Sequence, residues 1–578
     1  MVETAVRAQA PTQQRLTESG LGAEGLKRDV GLLGLLWSSE GSIIGSGWLF
    51  AGFVAVTIAG PAALIAWAIA AVIVVLLALV HAELGGLFPV TGGTSRFPHY
   101  AFGSLAGGTF GWFAYLQAAA ITPIEVLAAI QYISTTSWAA SWYDSKTGTL
   151  SGVGIAVAIV LMVVFTVINL VGIRYLAQAN NWITSWKVVI PVFTVLLLLA
   201  THFHSSNFTA GGGFFVPGPE GGMHAVFEAI ATAGIVFGLL GFEQAVQLGG
   251  ESAYPQRDLP RAVIGSILIG AAIYIAAQFA FIAALNPAVI AHYGTWANLT
   301  KDSALSAAPF YTVAKVAGLA WLAWILRLDA VISPAGTGLI YLTAASRLSF
   351  GLSKNGYIPR QFESKTRRTK VPAFAVVVSS IIGLLFLLPF PSWSKLVGVV
   401  TDASVMMYAG APLALGALRK SKPFLQRSYL LPQSAVLAPL SFVCANLIVY
   451  WAGWQVYSTL MVAMIIGYVL MIVSARLHLN PHQPNIDWDS AIWIFPYLIG
   501  LGLISYFGGF GHGGIIGGVR GVQTVLVGGN GDLPFWWDLG VVAVFSLVIY
   551  YLARWKRLPA ARVDEYISDV DLPPVAAH

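Results

Sequence analysis

The chain has 578 residues, 57% of them hydrophobic and 10% charged, with a net charge of +6 and a mean hydropathy of +0.75. A soluble domain carries about 25% charged residues, so a water-soluble fold is excluded and the bilayer is the solvent of most of this sequence. The basic balance alone admits an acidic partner such as nucleic acid, but its distribution along the chain points elsewhere.

Residues 1–28 are polar and lack an apolar core followed by a small-residue cleavage site, so no secretory signal peptide is expected and the first span serves as the insertion signal. Apolar runs predict helices over roughly 30–57, 61–86, 105–133, 152–173, 181–201, 225–248, 262–285, 310–346, 372–390, 394–418, 434–455, 456–476, 488–507 and 536–554, fourteen in all. With the N-terminus inside, about 24 Lys and Arg fall on the cytoplasmic side and about four outside. The densest clusters, Arg347 to Lys370 and Arg419 to Arg427, are read as topology determinants in contact with anionic membrane lipids, so no nucleic-acid role is needed. Both termini are expected in the cytoplasm of a plasma membrane. The single cysteine, Cys444, lies in an apolar run and has no intrachain partner.

Two spans are interrupted. The first contains Gly41, Gly45 and Gly47 within seven residues, and the sixth contains Gly234, Gly238 and Gly241 before Glu243. Each glycine weakens a helix by about 1 kcal/mol relative to alanine. Either cluster alone is compatible with close helix packing. Their recurrence at the first position of two five-helix halves points instead to a transporter built from inverted repeats, with its site at the midplane. The expected organisation is a cytoplasmic tail over 1–29, repeats over 30–201 and 225–418, peripheral helices over 434–554, and a poorly ordered cytoplasmic tail over 555–578. The glycine-rich segment Phe507 to Gly531 reads as a flexible outer loop.

The stretch Gly41 to Gly52, GSIIGSGWLFAG, resembles the opening motif of permeases of the amino acid–polyamine–organocation superfamily. FPVTGGTSRFPHYAFG (Phe88 to Gly103), NLVGIRYLAQANNWITSWKVVIP (Asn169 to Pro191), GFEQAVQLGGESAYPQRDLPRAV (Gly241 to Val263) and TAASRLSFGLSKNGYIPRQF (Thr343 to Phe362) resemble further segments of that family, in family order. The fourteen-helix count is similar to that of bacterial permeases of the aspartate–proton symporter type. The resemblance implies an all-α, LeuT-type fold of five plus five helices with helices 1 and 6 broken, and about four extra C-terminal helices. It implies secondary active transport of an amino acid, with proton symport and an acidic substrate such as aspartate as the expectation.

An amino acid brings a carboxylate and an ammonium into a low-dielectric site. Backbone N–H groups around Gly45, Ser46 and Gly47 are candidates for the carboxylate, and carbonyls near Ile43 and Phe237 for the ammonium. The resemblance places substrate here and brings Leu240 and the aromatic rings of Phe237 and Tyr341 to it, although ordinary packing accounts for those rings as well. Leu239 and Leu240 stand where several relatives have smaller residues, which implies a narrower pocket.

Lys187 lies inside the fifth span, where an ionisable group is costly and therefore a functional candidate. A snorkelling position near the interface is the alternative. By resemblance, a lysine at the matching position takes the place of a bound sodium ion in sodium-independent members, so Lys187 is a candidate for proton coupling. Glu243 matches the family's sixth-span glutamate, with a proton-carrying, gating or purely structural role open. Glu125, in a Pro-x-Glu pattern after Pro123, Asp329 and Asp402 are further carboxylates inside spans, and coupling and structural roles stay open for each. Asp329 and Arg327 are two residues apart and so on different helix faces, which makes a direct pair unexpected.

Competing classes are weak. His478 and His482 have metal-like spacing but enclose Pro481, and no nucleotide fingerprint or catalytic set is present, so neither metal nor cofactor is expected. An amino acid or polyamine exchanger, or a non-transporting sensor, would use the same broken helices.

Overall fold

The computed structural model describes residues 28–144, 147–171, 173–366, 371–387, 392–513, 526–568 and 570. The N-terminal tail up to residue 27 and the end of the C-terminal tail therefore lie outside the described residues. The helices are α1 Leu32–Ile43, α2 Gly47–Ala59, α3 Ala63–Leu87, α4 Gly93–Phe102, α5 Ser104–Ile133, α6 Gly152–Val171, α7 Ile173–Thr201, α8 Met223–Thr232, α9 Ile235–Gly238, α10 Glu243–Gln247 and α11 Pro255–Ala284. They continue as α12 Pro287–Tyr293, α13 Ser303–Ala307, α14 Pro309–Val316, α15 Ala320–Lys354, α16 Ala373–Leu387, α17 Trp393–Ser421, α18 Ser434–Arg476, α19 Trp488–Ala491, α20 Ile494–Phe507, α21 Trp537–Lys556 and α22 Ala560–Ile567. One short hairpin, Tyr143–Asp144 paired antiparallel with Thr149–Leu150, is the sheet among the described residues.

Ten of the described stretches are long and apolar enough to cross a membrane. Two of them, Gly47–Leu87 with 41 residues and Ser434–Arg476 with 43, are about twice the length one crossing needs. Each bends at a glycine in the left-handed region, Gly60 at φ 61° and Gly453 at φ 83°. Helices suit the bilayer because every backbone polar group is satisfied within the segment. The most apolar segments of α5 and α17 are wholly enclosed, whereas those of α6, α18 and α21 are 28%, 28% and 33% buried. The chain thus wraps around α5 and α17, with α6, α18 and α21 towards the outside.

The expected interruptions are present. α1 stops at Ile43 and α2 starts at Gly47. α8 ends before Gly234, whose φ of 85° only glycine adopts readily, and Gly241 at φ 133° separates α9 from α10.

Three expectations need correction. Part of the basic clusters serves internal pairing: Arg419 and Arg427 both contact the buried Glu83 carboxylate, at 2.5 and 2.9 Å, and Arg347 pairs with Glu251 at 2.9 Å. A lone buried carboxylate is too costly to leave uncompensated, so the loop arginines fold back onto it. The loop after α20 is packed at its described ends, where Phe510 and Gly511 carbonyls accept from Trp454 and Gln455 at the Gly453 bend; residues 514–525 lie outside the described residues. The C-terminal tail, expected to be poorly ordered, forms α22 on the surface of α4.

That docking is specific. Val563 and Ile567 are buried, Leu558 N–H donates to Ala101 at 3.0 Å, and Tyr566 donates to Asp487 at 2.6 Å. The Tyr566 ring lies 4.2 Å from His99, whose Nδ1 is 2.5 Å from the Tyr357 hydroxyl. α4 lies outside the candidate spans, and burial there, reinforced by Arg96 and Arg562, pushes the His99 imidazole down to about 3. Above pH 6.5 His99 is neutral in both folded and unfolded chains and contributes no pH dependence. Below it the unfolded chain takes the proton first, so stability falls by about 1.4 kcal/mol per pH unit. Thermal unfolding of the detergent-purified protein between pH 8 and 5 should therefore show a wild-type decline below pH 6.5 that His99→Asn reduces; equal declines would remove His99 as the cause.

Candidate functional site

The two interruptions touch. A Cβ on Gly47 would lie 3.1 Å from the Cα of Gly238, and one on Gly241 would lie 2.7 Å from the Ile43 nitrogen. Glycine at these points lets one broken helix cross the other backbone to backbone. Gly45 faces a different way: a Cβ there would come within 2.8 Å of both Glu125 Oε1 and Thr337 Oγ1. Packing and polar approach, alternatives on sequence grounds, are thus divided between Gly47 and Gly45.

Breaking a helix in a dry interior frees carbonyls from α1 and amides at the start of α2. Side chains from four other helices take them up. Lys187 Nζ, wholly buried on α7, donates to Gly41 O at 2.5 Å and to Thr337 Oγ1 at 2.6 Å. Thr337 of α15 donates in turn to Gly41 O at 3.0 Å, and Tyr274 of α11 donates to Ile43 O at 2.8 Å. On the other side of the gap Ser46 N–H and Oγ–H donate to Glu125 Oε2 and Oε1, at 2.8 and 3.1 Å. Trp393 Nε1 donates to Ser46 Oγ at 2.9 Å. Lys187 is therefore no snorkelling lysine.

The second break is held by Glu243. Its carboxylate accepts from Gly241 N–H at 2.8 Å, Tyr408 at 2.5 Å, Tyr341 at 3.1 Å and Gln117 at 3.1 Å. With Gln244 Nε2 at 3.5 Å, five donors meet one carboxylate.

Between the breaks lies a cavity of about 10 Å³, room for about one water molecule. Its walls are Ser42, Ile43, Gly45, Ile121, Glu125, Phe237, Leu240, Thr337 and Tyr341. Of the residues expected from sequence to meet substrate, Ile43, Gly45, Phe237, Leu240 and Tyr341 line it, while Ser46 and Gly47 stand behind it. Of the two leucines expected to narrow the pocket, Leu240 is at the wall and Leu239 is not. The carbonyls expected to be free are engaged, Ile43 O by Tyr274 and Phe237 O by the Leu240 amide at 3.2 Å. Phe237 stands edge-on to Trp393, with ring centroids 5.9 Å apart.

Asp329 accepts from Trp48, Trp186 and Ser333 at 3.0, 2.9 and 2.6 Å. Arg327 donates instead to the Tyr311 hydroxyl at 2.6 Å, so the two charges two residues apart face different partners as expected. Asp402 is buried with both oxygens lacking a hydrogen-bond partner, and it lines no wall of this cavity. Glu40 shares that state one residue before Gly41, and the rule that singled out Lys187, an ionisable residue inside a span, applies to it equally. Thr337, Tyr274, Trp393, Tyr408 and Gln117 carry no such signal.

The sequence model described as amino acid permease matches residues 30–472, which takes in both breaks, Lys187 and Glu243. The chain belongs to the amino acid permease family. The permease is 34% identical over 548 residues to the glutamate/serine transporter of Bacillus subtilis, covering 94% of this chain and 96% of that protein. It is 32% identical over 544 residues to the aspartate-proton symporter of the same organism, with 93% and 98% covered. Similarity to its branched-chain amino acid permease is 26% over 496 residues. The permease is thus a multi-pass membrane transporter with an amino acid substrate.

Because Gly47 abuts Gly238 backbone, Gly47→Val must push α2 off α9. The variant is expected to insert and purify normally but to lose amino acid binding, read by scintillation proximity on purified protein. Wild-type binding by that variant would separate the crossing from the site.

Proposed function

We propose that this permease imports an acidic amino acid together with protons across the plasma membrane by alternating access at the α1/α2 break. The observation that carries the reading is the pairing, across one interrupted helix, of a buried ammonium on the carbonyl side with a buried carboxylate on the amide side. Lys187 ties Gly41 and Glu125 ties Ser46, so a change in the charge of either group is felt at once by the geometry of the gap. Similarity to a glutamate/serine transporter and to an aspartate-proton symporter favours an acidic substrate and proton coupling.

In this reading the halves 30–201 and 225–418 move as inverted repeats about the crossing of Gly47 with Gly238. The cavity expands by displacement of Phe237 and Tyr341, since it now has room for about one water molecule and an amino acid is several times larger. The excess of Lys and Arg expected on one side favours both termini in the cytoplasm.

The test is uptake of radiolabelled amino acids and polyamines into proteoliposomes under an inward proton gradient. Accumulation of aspartate or glutamate that collapses with uncoupler is the expected result. Exchange against internal amino acid without accumulation would make the permease an antiporter. Lys187→Met removes one member of a buried charge network, a change that costs about 3–5 kcal/mol when the partner stays ionised. Its uptake should fall by about a hundredfold or more at unchanged expression, and retained pH-dependent uptake would dismiss Lys187 from coupling.

A further inference from the structure

The Ser46 amide at the start of α2 is already engaged by a carboxyl group that belongs to the protein. Glu125 is 1% exposed, on a helix whose apolar segment is wholly enclosed, and both its oxygens engage Ser46. The Trp393 indole N–H fills a lone pair of Ser46 Oγ at 2.9 Å, which leaves the hydroxyl proton for Glu125. The carboxylate lies directly over Gly45, close enough that a Cβ there would meet Oε1 at 2.8 Å. The cavity beside it, about 10 Å³, leaves no space for a second carboxylate next to the first.

An amino acid's carboxylate seeks the same donors, since backbone amides at a helix start are the natural anion site of a broken span. Two ionised carboxylates do not share one small set of donors in a dry interior. Other groups facing Glu125 are Lys187 from α7, Tyr274 from α11 and Tyr341 from α15. Glu40 of α1 acts on Tyr274, and Asp329 of α15 acts on Lys187. Lys187, the only cation of this group, is committed to Gly41 O and Thr337.

We infer that Glu125 is a built-in stand-in for the substrate carboxylate: ionised, it closes the start of α2, and protonated, it yields Ser46 N–H to the substrate, so that each amino acid binds with one proton. This rests on the proton-coupled reading above and names the group that does the coupling. The proton enters from the side that delivers substrate and rides as the carboxylic acid of Glu125. It leaves on the far side, when substrate departs and Ser46 recaptures the carboxylate. Lys187 keeps its proton and its two acceptors throughout.

Wild-type protein provides the direct test. L-aspartate, L-glutamate and L-serine are titrated into weakly buffered detergent solution, with a pH indicator counting protons and labelled ligand counting occupancy. The expected result is one proton taken up per amino acid bound, over a pH range where affinity weakens tenfold per unit rise. In Glu125→Gln, a neutral isostere, binding should take up no proton and its affinity should be flat with pH. Should that variant not fold, the wild-type proton count decides alone. Proton-free binding by wild-type protein that still accumulates amino acid on an acid gradient overturns the inference and leaves proton symport standing. So does a glutamine variant with wild-type pH dependence. Failure of wild-type protein to bind or transport any of the three overturns both.

Discussion

A helix interrupted in a dry interior must find partners for the backbone groups it releases, and the centre of this protein is organised by that demand. An unsatisfied amide or carbonyl in hydrocarbon costs several kcal/mol. Here Gly41, Ile43 and Ser46 are met by Lys187, Thr337, Tyr274 and Glu125, which come from α7, α15, α11 and α5. Gly241 is met by Glu243. The enclosure of α5 and the long reach of the Lys187 side chain follow from the same requirement. A lysine suits the carbonyl side because its ammonium has donors and no acceptors, and a glutamate suits the amide side for the opposite reason.

The two carboxylates at the breaks differ in how firmly they are held. Glu243 accepts from five donors, the Gly241 amide and the side chains of Gln117, Gln244, Tyr341 and Tyr408. Among the described residues Glu125 accepts from Ser46 alone, and it borders the cavity. The sixth-span carboxylate is thus held by more of the chain than the third-span carboxylate. Asp329, with three donors, stands between them.

Much of this was legible in the sequence. Glycine clusters that recur at the first position of two halves are not explained by packing alone, and a lysine deep in a span advertises itself by its cost, so both breaks and Lys187 could be placed without coordinates. What glycine spacing does not encode is direction: whether Gly45 or Gly47 faces the cavity depends on how α2 is rotated against α9 and α5. Thr337, Tyr274 and Trp393 were invisible because hydroxyls and indoles occur throughout membrane helices, and theirs acquire a role only through contacts some 200 to 350 residues distant in sequence. The pairing of Glu83 was equally hidden, because its arginine partners lie 336 and more residues away. α22 was missed because eight residues in a charged tail carry too little periodicity to announce a helix.

The docked tail bears on how the bundle is closed at that end. α22, the loop carrying Asp487, and Tyr357 all converge on α4, the helix that joins α3 to α5. α5 carries Glu125 at its middle and begins at Ser104, whose amide and hydroxyl bind Asp487 and the Asn485 carbonyl. Asp487 is in turn gripped by Arg562 and Tyr566 of α22. One helix therefore carries both contacts, the docked C-terminal helix through Ser104 and the first break through Glu125, with Pro123 between them removing a backbone donor from the helix ladder.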